Sequence, residues 1–252
     1  MGRVIAIANQ KGGVGKTTTT VNLSACLAQA GKKVLVADMD PQGNTTSGLG
    51  VDKYKLENTI YNLLLGDRYL EQVVLPTCVD SLRLLPANIN LSGAEIELIS
   101  QEKREYRLRT VFGHMKYLFD YILIDCPPSL NILTLNSLCA GDSILVPIQC
   151  EYYALEGLTQ LMHTVELVQR KLNPRLSIEG VVFTMFDART NLSAQVVDEV
   201  KKHLGEYTYK TIIPRNVRLS EAPSHGLPIT LYDPSSKGAE SYIRLAQEVM
   251  GQ

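Results

Sequence analysis

Long apolar runs are missing from this 252-residue chain. Its hydrophobic stretches reach about seven residues at most, far short of the roughly 18 that cross a bilayer. Paired cysteines are missing too. The five thiols, Cys26, Cys78, Cys126, Cys139 and Cys150, are widely spaced, with no C-x-x-C pair and no signal peptide ahead of them. That spacing argues against a disulfide framework or a zinc site and for reduced thiols in a cytosolic core. The four histidines, His114, His163, His203 and His225, show no metal-ligand spacing. Charge of one sign is lacking as well: the formal net charge is −1, so attraction to a polyanion requires segregation of basic residues onto one face. No internal repeat, low-complexity tract or linker divides the chain, and a length of this order with one alternating pattern predicts a single domain spanning 1–252. Because Val4 follows Met1 so closely, no N-terminal helix-turn-helix is expected.

What is present is alternation. Val4 to Ala8 is a short apolar run, Lys16 to Ala30 has helical spacing closed by Gly31, and Lys33 to Ala37 is a second β-rich run, which together predict a βαβ unit. Further strand-like runs at Leu82–Leu85, Tyr121–Ile124, Ile144–Pro147, Ile178–Thr184 and Thr211–Ile213 alternate with helical patterns at Ala154–Leu172 and Asn191–Leu204. The pattern predicts an α/β fold: a twisted, mostly parallel sheet with helices on both faces.

Between the first strand and its helix lies Lys11-Gly12-Gly13-Val14-Gly15-Lys16-Thr17-Thr18. Glycines let successive backbone N–H groups converge, and the helix N-terminus adds the positive end of its dipole, so the segment forms a cradle for phosphate. In such a P-loop, Lys16 reaches the β- and γ-phosphates and the Thr17 hydroxyl ligates magnesium. The general G-x-x-x-x-G-K-[ST] pattern has glycine where this chain has Gln10, so the loop is a variant, and it carries the additional lysine Lys11. Asp38-Met39-Asp40-Pro41-Gln42-Gly43 follows the second strand, where a parallel sheet presents its nucleotide crevice. Ile122-Leu123-Ile124-Asp125 is an apolar strand ending in a carboxylate, as a magnesium-holding Walker B element requires.

The K-G-G-V-G-K-T-T loop, the D-M-D-P-Q-G-N segment and the I-D-C-P-P segment resemble the ParA/MinD family of deviant Walker A ATPases. The runs Cys150–Gly157, Asp187–Asn191 and Ile213–Ser224 are similar to its chromosomal ParA/Soj branch, and the likeness covers essentially the whole chain. The resemblance implies an ATP- and Mg2+-dependent ATPase with a P-loop NTPase-like fold. Phosphate contacts would come from residues 11–18, among them Gly12, Gly13, Val14, Gly15 and Thr18. Lys11 is expected to cross to the nucleotide of a partner subunit, and Glu151 to touch that nucleotide. Asp40 would position the attacking water and join Thr17 and Asp125 around the metal, while Pro214 and Asn216 would contact the adenine. Lys11, Lys16 and Asp40 are then the catalytic set.

The same resemblance implies an ATP-dependent homodimer in the cytoplasm, associated with the nucleoid through non-specific double-stranded DNA and released when a ParB-type centromere-binding protein stimulates hydrolysis. Residues 180–252 carry eight basic and eight acidic side chains. Arg189 and Arg218, which sit in the Soj-like runs, are the first DNA candidates, with Lys201, Lys202 and Arg215 behind them. Dimerisation doubles the phosphates neutralised without altering the near-neutral subunit. The MinD branch carries a basic membrane-binding tail. Here Ala239 to Gln252 places Tyr242, Leu245, Ala246, Val249 and Met250 on one face and Glu240, Arg244, Gln247 and Glu248 elsewhere, a net negative set that favours core packing and no membrane partner. An iron–sulfur reductase and a small-molecule synthetase on the same nucleotide fold are the rival classes.

Overall fold

Valine, isoleucine and leucine concentrate in short runs, and these runs become the strands of one sheet. The structure, a computed structural model, describes residues 2–113, 115–152 and 154–251; His114, and Tyr153 of the Soj-like run, lie outside them. The strands are β1 (Arg3–Ile7), β2 (Val34–Asp38), β3 (Leu75–Pro76), β4 (Leu82–Leu85), β5 (Tyr121–Asp125), β6 (Ser143–Gln149), β7 (Ser177–Phe186) and β8 (Thr208–Pro214). The helices are α1 (Lys16–Gln29), α2 (Asn44–Gly48), α3 (Ile60–Leu65), α4 (Leu91–Glu97), α5 (Arg107–Gly113) and α6 (Ile132–Ala140), followed by α7 (Ala154–Lys171), α8 (Asn191–Leu204), α9 (Val217–Glu221), α10 (Ile229–Tyr232) and α11 (Lys237–Met250).

The sheet order is β3-β4-β2-β5-β1-β6-β7-β8, and every neighbour pair is parallel except β3 with β4. The expected parallel sheet with helices on both faces is therefore what the chain forms. Alternation along β1 shows how: Val4 and Ala6 face one apolar layer, with residues of α3 to α8, while Ile5 and Ile7 face the other, with α1 and α11. Both layers are buried, so the central strands are apolar on both sides. On α11, Tyr242, Leu245, Ala246 and Val249 are buried against that second layer, and each large side chain there stabilises the fold by about 1.5–3 kcal/mol. The tail's apolar face is thus used inside the molecule, as its polar set suggested.

The strand and helix runs read from the sequence match the observed elements to within a few residues. Seven shorter helices, α2 to α6, α9 and α10, and the two-residue β3 add to them. None spans enough turns to display a period, and β3 contains Pro76, which cannot donate to a ladder.

The register positions the chemistry. Ile7 of β1 pairs with Asp125 of β5, and Asp38 of β2 pairs with the same Asp125. Three chain exits, including the one into the glycine loop, therefore open side by side at the carboxyl edge of the sheet, where such folds place ligands.

Candidate nucleotide site

The loop after β1 is shaped by glycines where a side chain would be strained. Gly13 (φ 75°) and Gly15 (φ 88°) lie in the left-handed region, and Gly15 is the cap from which α1 begins. At α1's first residue, Lys16 is buried, and its Nζ donates to the Lys11 carbonyl at 2.9 Å, curling the side chain back over the loop. Burial lowers the pKa of this ammonium, while the charges of Asp125 and Asp40 oppose the shift. A buried cation with no direct carboxylate partner among the described contacts is a poor stabilising device and a good anion receptor.

Next along the helix, the Thr17 hydroxyl donates to Asp125 Oδ2 at 2.8 Å, and the Thr45 hydroxyl of α2 donates to the same oxygen at 2.7 Å. Thr20 reaches the other oxygen at 3.4 Å. Asp125 is fully buried, and burial holds its pKa above the ordinary carboxylate range although the two threonines pull the other way. A buried carboxylate and a hydroxyl converging on one point, beside a lysine, form a hard oxygen donor set of the kind magnesium takes. Asp40 is nearly buried, accepts the Gln42 N–H at 2.9 Å, and lies close enough for its charge to act on both Lys16 and Asp125. Loop, Lys16, Thr17, Asp40 and Asp125 are thus assembled in one place.

Behind the loop a cavity of about 360 Å³ is lined by Gly15, Thr18, Thr184, Met185, Pro214 and Asn216, among others. Pro214 and Asn216 are thus brought to the same cavity as Gly15 and Thr18 of the loop. The Asn216 side-chain oxygen caps α9 by accepting the Arg218 N–H at 2.8 Å. Met185, with φ 51°, holds a strained backbone at the cavity wall, and the Thr184 hydroxyl ties that wall to the loop by donating to the Val14 carbonyl at 2.8 Å. Neither residue was visible as a site residue in the sequence, because a methionine or threonine in a strand reads as packing.

Lys11 does not point away from its own chain. Its Nζ pairs with Glu151, just beyond β6, and both side chains are about one-third exposed. The two residues assigned to an intersubunit site are thus brought together within one subunit.

The basic candidates divide. Arg189 pairs with Asp187 at 2.6 Å, and Arg215 is near enough to help hold the Asp187 carboxyl below its usual range, Arg189 being the main cause. Arg218 pairs with Glu221 at 2.9 Å and Asp233 at 3.4 Å. These three arginines share the sheet edge that carries the cavity. Lys201 and Lys202 lie near the far end of α8, about 15 Å further along the helix axis, with Lys202 bonded to Glu199 at 2.9 Å.

A glycine loop feeding a helix, a buried carboxylate on the neighbouring strand and a base-sized cavity behind them define a P-loop nucleotide-binding protein, of the variant class with a second lysine in the loop. Residues 2–178 match the family described as AAA domain. Over 249 residues the chain is 60% identical to the sporulation initiation inhibitor protein Soj of Bacillus subtilis, covering 99% of this chain and 98% of that protein. It is 54% identical to the chromosome partitioning protein ParA of Myxococcus xanthus, covering 99% and 88%. Among solved structures, a Mycobacterium smegmatis protein described as cobyrinic acid a,c-diamide synthase, with bound ADP and magnesium, superposes with a TM-score of 0.85 at 39% identity over 99% of this chain and 94% of that one. The chain belongs to the Soj/ParA family of chromosome-partitioning ATPases. No described helix is long and apolar enough to cross a membrane, and no metal-holding group of histidine, cysteine and carboxylate residues occurs among the described residues.

Proposed function

We propose that this chain is a magnesium-dependent ATPase whose 252 residues act as one domain, and whose ATP-bound homodimer holds nucleoid DNA until hydrolysis releases it. The observation that carries the reading is the convergence of Lys16, Thr17 and Asp125 at the mouth of the glycine loop. Lys16 leaves the Lys11 carbonyl for the β- and γ-phosphates, and the loop N–H groups from Gly12 to Thr18 hold the β-phosphate. Pro214 and Asn216 hold the adenine. Magnesium, held by Thr17 and Asp125 with Asp40 beside it, supplies charge neutralisation at the phosphates. Asp40 orients the attacking water and accepts its proton.

Hydrolysis also requires Lys11, which has to leave Glu151 and act on the nucleotide of the other subunit, in the manner of a trans-acting arginine finger. Glu151, once released, faces that same nucleotide. The exchange supplies a reason for ATP to favour the closed dimer, and only a ligand with different affinities for two states can shift their balance. Arg189, Arg215 and Arg218 then line the DNA face, with Lys201 and Lys202 as outlying phosphate contacts, and a ParB-type protein accelerates the cycle.

The deciding experiment is binding to a random-sequence duplex without nucleotide, with ADP, with ATP and with a non-hydrolysable analogue, across a salt series. Salt-sensitive binding confined to the triphosphate states is the expected outcome; equal binding in all four, or none, would overturn the reading. The likeness to a protein described as a diamide synthase motivates a second reading as a small-molecule synthetase, which predicts ATP turnover that rises with a small carboxylic acid and ignores DNA.

A further inference from the structure

We infer that Asp38 and Thr46 form a bracket that positions Asp40 for hydrolysis, an inference that rests on the ATPase reading above. Asp38 ends β2 with no exposed surface and has no cation paired to it among the described contacts. Its Oδ1 accepts the Asp40 N–H at 3.2 Å. Its Oδ2 accepts both the Thr46 N–H at 2.8 Å and the Thr46 hydroxyl at 2.7 Å. One carboxylate therefore grips both ends of the excursion that carries Asp40.

The far side of that excursion is fixed as well. The Thr46 oxygen accepts the Ala87 N–H at 2.9 Å, so the hydroxyl links Asp38 to the chain leaving β4. At Gly43 (φ 60°) a Cβ would stand 2.7 Å from the Ala87 carbonyl oxygen, which means that the segment lies flush against Ala87. Within the excursion, the Gly43 N–H donates to the Asp40 carbonyl at 2.9 Å, closing a tight turn around Asp40. The neighbouring Thr45 binds Asp125, so adjacent hydroxyls of α2 hold the two register-paired aspartates of β2 and β5.

Burying two carboxylates side by side is a costly way to fasten a loop, and apolar residues would fasten it more stably. Geometry accounts for the arrangement better than stability does. An in-line water must be held to within a fraction of an ångström, and Asp40 is itself on a connecting segment, so its precision has to come from what holds that segment. Asp38 and Thr46 are positioning residues. Neither needs to touch the nucleotide.

The test uses the full-length protein with ATP, magnesium, DNA and steady-state kinetics. Thr46→Val removes the hydroxyl at nearly constant shape, and kcat is expected to fall by about 10- to 100-fold while the KM for ATP and nucleotide affinity stay within about twofold. Thr46→Ser retains the hydroxyl and should restore kcat to within about threefold of the parent. The inference is overturned if Thr46→Val turns over at the parental rate, or if the serine variant fails as badly as the valine one. Should Thr46→Val not fold, Gly43→Ala displaces the same segment from Ala87, and a parental kcat there overturns the inference equally. A parent protein that hydrolyses no ATP in any condition would instead sink the functional reading.

Discussion

At the carboxyl ends of β2 and β5, Asp38 and Asp125 lie fully buried and are held by the hydroxyls of Thr17, Thr45 and Thr46. On the candidate DNA face, Arg189 and Arg218 stand in solvent, each paired with an acid two or three residues away. In the first region, both carboxylates are enclosed and hydrogen-bonded, Asp125 from α1 and α2 and Asp38 from Thr46 and the Asp40 N–H, and an unpaired group would cost about 1–3 kcal/mol or more. In the second, the pairs are exposed and screened by solvent, so they contribute little to stability and a phosphate can take an arginine from its acid at little expense. Rigid chemistry and exchangeable charge thus sit at the same sheet edge, built by different physics.

If that contrast holds, substitutions in the buried region should have large, specific effects, and substitutions in the exposed one small, salt-dependent effects. The largest is expected for Lys16→Ala, which removes the buried cation at the loop and should weaken ATP binding by about 100-fold or more in a fluorescent-nucleotide titration. Asp40→Ala should retain ATP affinity but lower kcat by about 100-fold or more, trapping a DNA-bound dimer visible by light scattering; turnover at the parental rate would remove Asp40 from its assigned role. Arg189→Glu should leave ATPase activity intact and weaken DNA binding, and loss of one phosphate contact in each subunit should reduce the log–log salt slope by about two. An unchanged slope would take Arg189 out of the DNA face.

Two smaller effects probe the buried side. The ligand-free protein should lose thermal stability as pH rises above the ordinary carboxylate range. Burial, reinforced for Asp38 by the charge of Asp125, raises both aspartates, so the folded state binds these protons more tightly than the unfolded chain does, and that stabilisation is lost as they ionise. Asp38→Asn should flatten the profile in a melting series. The smallest effect concerns the thiols. Cys78 is the exposed one, whereas burial pushes Cys26, Cys126 and Cys150 up to about 12 and Cys139 to about 11. Iodoacetamide at mildly alkaline pH should therefore label Cys78 well before the others, as read by mass spectrometry.

The buried region was far more legible in the sequence than the exposed one. Residues 11–18 and Asp125 are readable because phosphate chemistry demands glycines, a lysine and a hydroxyl at set spacings on a strand–loop–helix. Asp38 stood in the same motif but carried no signal of its task, since its partner Thr46 is placed by how α2 folds back onto the end of β2, and Thr46 is in turn held by the Ala87 N–H beyond β4. Met185 and Thr184 were silent for the same reason, their part in the cavity depending on where β7 passes the loop. Lys201 and Lys202 stood in the sequence as secondary candidates behind Arg189, and the axis of α8 separates them from it.

By itself the sequence determined the alternation of strands and helices, the phosphate loop and the core-facing tail, because these depend on local periodicity and on residue types within a few positions of each other. Only the tertiary structure decided that Lys11 rests on Glu151 of its own chain, that Asp38 rather than Asp40 anchors α2, and which basic residues share an edge. The first and last of those outcomes depend on strand order and register, which bring together residues tens or hundreds of positions apart, and the second on how α2 folds back onto the end of β2; no local pattern encodes either.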